Sequence, residues 1–131
     1  MKYLTYVFVL FLFSCGKDED TLPVIANELL GKWQLESTKI SPGDIVKNWT
    51  MVTNGAIFEF KANGSYTHNE KACGGIVNGI FSTSAQILNL RYHCENNSIE
   101  TNFNMNFSEG KLILSNVGCI EECSYKYRKL E

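Results

Sequence analysis

The feature that most constrains this chain is a strict two-residue alternation of apolar and polar side chains in its second half. Apolar residues alternate with polar residues over residues 88–93 and again over 102–107. Successive side chains of a β-strand point to opposite faces, so these runs predict strands with one apolar and one polar face. The apolar positions are Leu88, Leu90, Tyr92, Phe103, Met105 and Phe107.

Eight strands of this kind can be placed along the chain, and short turns separate them. The predicted strands cover residues 32–40, 47–60 (bent), 65–71, 76–82, 87–94, 99–107, 111–117 and 124–130, after a short helical turn within 24–30. Turns at Asn63-Gly64, Ser84-Ala85-Gln86 and Ser108-Glu109-Gly110 are short enough for hairpins. Such turns leave no room for crossover helices, which excludes a parallel sheet. We predict an all-β, eight-stranded antiparallel up-and-down barrel, which removes exposed strand edges; a two-sheet sandwich is the alternative.

The first fifteen residues have the pattern of an export signal. Met1-Lys2 gives a positive start, and residues 3–13 form an apolar run interrupted only by Thr5. This run is too short to span a bilayer, which needs roughly 20 apolar residues, and it suits the hydrophobic region of a signal peptide. The run ends at Ser14-Cys15. We predict a signal peptide over residues 1–14; an ordinary secretory signal with an incidental cysteine is the alternative.

The segment 12–16, Leu-Phe-Ser-Cys-Gly, resembles the lipobox of bacterial lipoproteins. This resemblance implies that Cys15 carries the lipid, including palmitate-type acyl chains, and two or three such chains hold a protein firmly at a membrane. The block Lys17-Asp18-Glu19-Asp20 resembles the surface-export signal of Bacteroidetes-type lipoproteins. The expected location is therefore the outer membrane, with exposure at the cell surface as the finer implication. Residues 15–28 are predicted to form a lipidated acidic tether. The alternative is that the acidic block is a solvated tether without value as an address.

The rest of the chain, residues 29–131, has the length of one barrel domain with a modest core. In the predicted mature chain from Cys15 to Glu131, which leaves out Lys2, eleven basic and fourteen acidic residues give a net charge of −3. This balance provides no basic stripe for nucleic acid and no polybasic patch for anionic lipid. We expect a monomer that contacts the membrane through its lipid and needs no cofactor.

Five cysteines divide into Cys15 and four others. An even number in an oxidising compartment favours disulfides, and three pairings are open. We favour Cys73 with Cys94, which would clip neighbouring strands and stabilise by about 3 kcal/mol, and Cys119 with Cys123, which would close a turn. The alternative is a zinc site of four thiolates, although the spacing lacks the usual C-x-x-C clips.

Several segments resemble lipocalin-like domains. Residues 30–37, Leu-Gly-Lys-Trp-Gln-Leu-Glu-Ser, resemble the family's opening motif. Residues 58–66 resemble its aromatic hairpin, residues 79–90 its next strand pair, and residues 111–114 and 125–129 its closing strands. The resemblance covers about residues 29–130 and implies an eight-stranded calycin-type barrel. Trp33 and Leu35 would then point inward at the base, and Gly31 would let the backbone pass closely beneath.

The barrel interior would be lined by large apolar side chains, and their role has two interpretations. A small eight-stranded barrel is just wide enough for side chains to fill it, which is the favoured interpretation. A pocket of roughly 300 Å³ or more would instead hold a small apolar ligand. The candidate ligand-binding residues are Trp33, Phe58, Phe60, Phe103, Met105 and Phe107.

The leading functional hypothesis is an anchored binding module that takes a small hydrophobic ligand or docks a surface protein partner. An accessory lipoprotein with a filled barrel is the alternative. Of the two histidines, His93 is predicted to face outward, and His68 shares a face with Tyr66 and Glu70. We interpret that face as a polar strand face, with a metal or polar-ligand site as the alternative. No nucleophile elbow, phosphate loop or paired-histidine motif occurs, so no catalytic residue and no metal ligand is assigned and the chain is predicted not to be an enzyme.

Overall fold

The computed structural model of the protein describes residues 26–43, 45 and 48–131. The predicted signal peptide, Cys15 and most of the predicted tether lie outside these residues. The elements are a 3-10 turn (Asn27–Leu29), β1 (Gly31–Ile40), β2 (Thr50–Met51), β3 (Ile57–Phe60), β4 (Ser65–Glu70), a second 3-10 turn (Lys71–Cys73), β5 (Gly75–Ser84), β6 (Ile87–Cys94), β7 (Asn97–Ser108), β8 (Lys111–Asn116) and β9 (Cys123–Leu130). Within the described ranges, no helix has the length and apolar character needed to cross a membrane.

The strands form one antiparallel sheet that closes on itself. From β3 to β9 each strand pairs with the next along the chain, and β1 pairs with both β3 and β9. The β1–β9 ladder runs from Lys32 opposite Leu130 to Ile40 opposite Cys123, so it seals the barrel along nearly the whole of β1. The predicted eight-stranded up-and-down barrel is confirmed, and the sandwich alternative is wrong. This is the lipocalin-like architecture, which leaves no long exposed edge.

The predicted bent strand over residues 47–60 is two strands in the structure. β3 pairs with the first half of β1, and β2 pairs with Ser37 and Thr38 further along it. Between them residues 53–55 loop out, with Asn54 at a left-handed φ of 53°. A Cβ on Gly55 would lie 2.0 Å from the backbone oxygen of Leu35, so only glycine fits this close approach. The sequence predicted the bend in this segment, but it did not predict that the strand is interrupted at residues 53–55.

One end of the barrel, here called the closed end, is filled by Trp33 and the 3-10 turn before β1. Trp33 is 3% exposed, and its indole Nε1 donates a 2.8 Å hydrogen bond to the carbonyl oxygen of Leu29, which is itself fully buried. Phe107 packs against the Trp33 ring with centroids 6.0 Å apart, and the Lys129 ammonium lies 5.2 Å from that ring's centroid. A buried indole with its N–H satisfied makes a stable plug.

The other end, here called the open end, carries the connections at residues 71–74, 95–96 and 117–122. Both disulfides lie there. Cys73 in the second 3-10 turn is bonded to Cys94 at the end of β6, and Cys119 is bonded to Cys123 at the start of β9. These are the two pairs that the sequence favours. The open end is therefore braced by covalent bonds between and within its loops.

Candidate functional site

A cavity of about 260 Å³ enters the barrel from the open end. Its volume is below the roughly 300 Å³ at which typical ligand pockets begin. An outer groove beside β3 shares three lining residues with it, Ala56, Asn69 and Glu70. The lining residues come from six strands and the bend before β3: Leu35, Ala56, Phe58, His68, Asn69, Glu70, Leu90, Tyr92, Thr101, Phe103, Tyr125 and Tyr127.

The walls of the cavity are mainly aromatic. The Phe58 ring lies 5.5 Å from Tyr127 and stacks 4.9 Å from His68, measured between ring centroids. On the opposite wall, Phe103 meets Tyr125 edge to face at 6.3 Å. These side chains occupy alternate positions on their strands, so every one of them points inward. The alternation of the sequence thus places flat apolar surfaces on several sides of one small space.

Polar chemistry in the cavity is concentrated in His68, Glu70 and Tyr92. His68 is 8% exposed, and its Nε2 lies 3.9 Å from Glu70 Oε2, which is longer than a hydrogen bond. The Tyr92 ring meets the His68 ring edge to face at 5.1 Å. Glu70 is held by its other oxygen, Oε1, which accepts a 3.2 Å hydrogen bond from the backbone N–H of Ala72. One carboxylate oxygen is therefore fixed, and the other faces the imidazole.

Burial shifts the titration of these groups. Desolvation lowers the pKa of His68 below its ordinary value of 6.5, and the nearby Glu70 carboxylate partly opposes that shift. Burial also raises the pKa of Tyr92, with a further increase from Glu70. Both shifts favour the uncharged form of the group concerned. Near neutral pH, the imidazole and the phenol are neutral, and Glu70 supplies the charge.

Two polar atoms of the interior are buried without a hydrogen-bond partner among the described residues, namely the Tyr66 hydroxyl and His68 Nδ1. The Tyr66 ring lies over Gly79 on the paired strand β5, where an added Cβ would come within 2.5 Å of the ring. Burial raises the pKa of the Tyr66 hydroxyl. An unsatisfied buried polar atom costs free energy. The Tyr66 hydroxyl and His68 Nδ1 carry that cost, whereas the Trp33 indole N–H has its hydrogen bond.

The six predicted ligand-binding residues are not brought together. Phe58 and Phe103 line the cavity. Phe60 and Met105 are buried in the packed core. Trp33 and Phe107 lie against each other at the closed end. Only two of the six therefore touch the space in which a ligand would sit.

Sequence reasoning missed most of the remaining cavity residues. Leu90, Tyr92, Tyr125 and Tyr127 are on the inward faces that alternation predicts, but nothing in the pattern separates cavity positions from core positions. His68 was missed for a different reason. It does share a face with Tyr66 and Glu70, but that face is the barrel interior, so the polar-face interpretation is wrong for Tyr66 and His68, while His93 is exposed as expected.

Nothing in the described part of the chain groups three or more His, Cys, Asp or Glu side chains around a common point that could hold a metal ion. His68 and Glu70 form a pair of possible ligands but have no third partner of this kind. The cavity itself combines aromatic walls, one carboxylate and a neutral imidazole.

The fold and the cavity define a lipocalin-like barrel with one open end. No protein-family model matches the chain, and no curated protein matches it. Among solved structures, a point mutant of the fluorescent protein UnaG is similar, with 10% sequence identity, 82% of this chain and 99% of that chain covered, and a TM-score of 0.46. The pairing of the strands, closed by β1 with β9, defines the class.

Proposed function

We propose that the protein is a membrane-anchored binding protein, rather than an enzyme, whose barrel holds a small and mainly apolar ligand in the open-end cavity. The observation that carries the proposal is the contrast within one interior. The closed end is packed around Trp33, whereas the open end leaves about 260 Å³ between aromatic walls. Apolar cavities with a few placed polar groups are the usual form of small-molecule sites.

The size of the cavity limits the ligand to a compact molecule. Typical pockets for drug-sized ligands have volumes of about 300–1,000 Å³, and this one is smaller. A single ring with a short substituent suits it. A long acyl chain would have to pass the plug formed by Leu29 and Trp33 at the closed end.

A cavity-filling variant tests this proposal. Thr101 lines the cavity, so Thr101→Trp would occupy it, while Thr67→Trp places the same bulk on the outside of β4. We expect tert-butylbenzene to bind the full-length mature protein and Thr67→Trp in a saturable manner by calorimetry in maltoside detergent. Thr101→Trp should bind at least about tenfold more weakly, a difference of about 1.4 kcal/mol. Equal binding to all three proteins would contradict a ligand in this cavity.

The anchoring part of the proposal rests on the sequence. Cys15 would carry the lipid and hold the protein at the outer membrane, with surface exposure as the finer expectation. The described chain enters the barrel at the closed end, through the 3-10 turn Asn27–Leu29. The chain that follows an anchor at Cys15 would therefore reach the barrel at the end opposite the cavity. Cys15→Ala should abolish metabolic labelling with palmitate, and persistent labelling would reject the assignment.

A second candidate function has its own support. An accessory lipoprotein that docks a protein partner through its outer surface needs no cavity, and this cavity is small. Ile76 and Ile80 on the outside of β5 are more than half exposed. Binding of tert-butylbenzene to the cavity separates the two functions, because a purely accessory barrel would not bind it.

A further inference from the structure

We propose that the cavity selects small organic cations, that is, compact apolar molecules carrying a protonated amine or a quaternary ammonium, with Glu70 as the counter-charge. This inference rests on the proposed binding function and names the chemical class of the ligand. It is carried by the charge balance of the cavity, the geometry of Glu70 and the nature of the walls.

The charge balance is one-sided. Among the described residues that line the cavity, one is acidic, Glu70, and none is a lysine or an arginine. Lys71, the next residue, is exposed and lines the outer groove instead. His68 is nearly buried and stays neutral, because burial lowers its pKa. An anionic ligand such as a carboxylate would meet Glu70 with no compensating cation, whereas a cation would be attracted.

Glu70 is oriented for this role. The hydrogen bond from the Ala72 N–H to Oε1 fixes the carboxylate at the start of the second 3-10 turn. The other oxygen, Oε2, lies 3.9 Å from His68 Nε2, beyond hydrogen-bond distance, and the side chain is 37% exposed. A carboxylate held through one oxygen keeps the other for a ligand at little entropic cost. The disulfide between Cys73 and Cys94 follows directly and holds this turn against β6.

The walls complete the site. Ring faces carry partial negative charge and attract cations within about 6 Å, so clusters of aromatic rings recognise ammonium groups. The Phe58 and Tyr92 rings contact the His68 ring, Tyr127 contacts Phe58, and Phe103 and Tyr125 contact each other. All of them line the same cavity as Glu70. A neutral apolar ligand would be satisfied by the rings alone. Only a cation uses both the rings and the carboxylate.

Matched probes test the charge preference. Phenyltrimethylammonium and tert-butylbenzene have nearly the same shape and differ in charge, and benzoate supplies the opposite charge. With the full-length mature protein in maltoside detergent, we expect calorimetry to show the ammonium binding at least about tenfold more tightly than benzoate. With a given probe, competition by detergent is the same for every protein, so it does not alter the comparison between variants.

Two variants locate the effect. Glu70→Gln keeps an oxygen that can accept from Ala72 but removes the charge, and it should weaken phenyltrimethylammonium binding about tenfold while changing tert-butylbenzene binding less than about twofold. Glu109→Gln, at an exposed turn of the closed end, makes the same change in net charge and should alter neither. Tert-butylbenzene binding also reports that each variant is folded.

The outcomes separate this inference from the function on which it rests. If tert-butylbenzene binds but the ammonium binds no better than benzoate, or if Glu70→Gln leaves ammonium binding unchanged, the cation preference is wrong and the binding function stands. If none of the three probes binds, both are wrong.

Discussion

The two ends of the barrel are stabilised in different ways. At the closed end, a Trp33 indole satisfied by Leu29 sits among tightly packed side chains. At the open end, rings line an unfilled space, His68 Nδ1 has no partner among the described residues, and two disulfides brace the loops. Packing stabilises one end and covalent bonds stabilise the other. A barrel end that is left unfilled therefore needs a source of stability other than packing.

The largest expected effect of a substitution lies at the closed end. Trp33→Ala removes a buried ring and its hydrogen bond to Leu29, and we expect it to lower the free energy of unfolding by about 3–5 kcal/mol. Tyr125→Ala, the matched truncation at the partly exposed rim of the cavity, should cost about 1–2 kcal/mol. Urea unfolding followed by circular dichroism measures both. Equal losses would show that the two ends are packed alike.

The disulfides should show an intermediate effect at the open end. Cys73 and Cys94 are 21 residues apart, so replacing both by serine should cost about 3 kcal/mol in the chain-entropy model. Cys119 and Cys123 are 4 residues apart, and replacing both should cost about 2 kcal/mol.

The same unfolding measurement checks the disulfide prediction, and mass spectrometry of the native protein should show four hydrogens fewer than the fully reduced form. If each double replacement leaves the free energy of unfolding unchanged, then the disulfides do not stabilise the open end.

The smallest effect concerns pH. Because the pKa of His68 in the folded protein lies below its ordinary value of 6.5, the unfolded state binds the proton more readily. The contribution of His68 to stability is therefore complete above about pH 6.5 and declines as pH falls toward the folded pKa. We expect the free energy of unfolding to fall as the pH is lowered from about 6.5 toward the pKa of His68 in the folded protein. His68→Phe, which keeps a ring against Phe58 and Tyr92, should flatten that slope.

His93→Gln provides the control for this prediction. His93 is exposed on the outside of β6, so its replacement should leave the slope as it is in the unaltered protein. A slope that follows His93 rather than His68 would contradict the assignment of the titrating group to the cavity.

The sequence predicted the fold better than the site, for a physical reason. Alternation reports which face of a strand a side chain is on, and it placed both Phe58 and Phe60 inside. It does not report the height of a residue along the barrel, which depends on how the strands are staggered. Phe58 lines the cavity and Phe60, two residues away, is in the solid core. Only the three-dimensional pairing of the strands separates these positions.

Irregularities in the strands were also beyond the sequence. A β-bulge lies between Leu35 and Ser37 in the ladder with β9. The bulge places Ser37 opposite Lys126, and β2 pairs with Ser37 on its other side through Met51. Ser37 is buried there although it is polar. The residues Leu35-Glu36-Ser37 do not mark this bulge, because only the G1 type of β-bulge calls for a glycine. The loop at residues 53–55 left a weak sign, an Asn-Gly pair within an otherwise strand-like run.

The pairing of Lys32 with Leu130 has a practical consequence for handling the molecule. The first and last strands of the described chain therefore meet at the end of the barrel that Trp33 fills. A reporter domain or affinity tag fused after Glu131 would thus sit far from the aromatic mouth. Immobilising the protein through such a fusion presents the mouth to solution, so surface-based screens of candidate ligands need no redesign of the barrel.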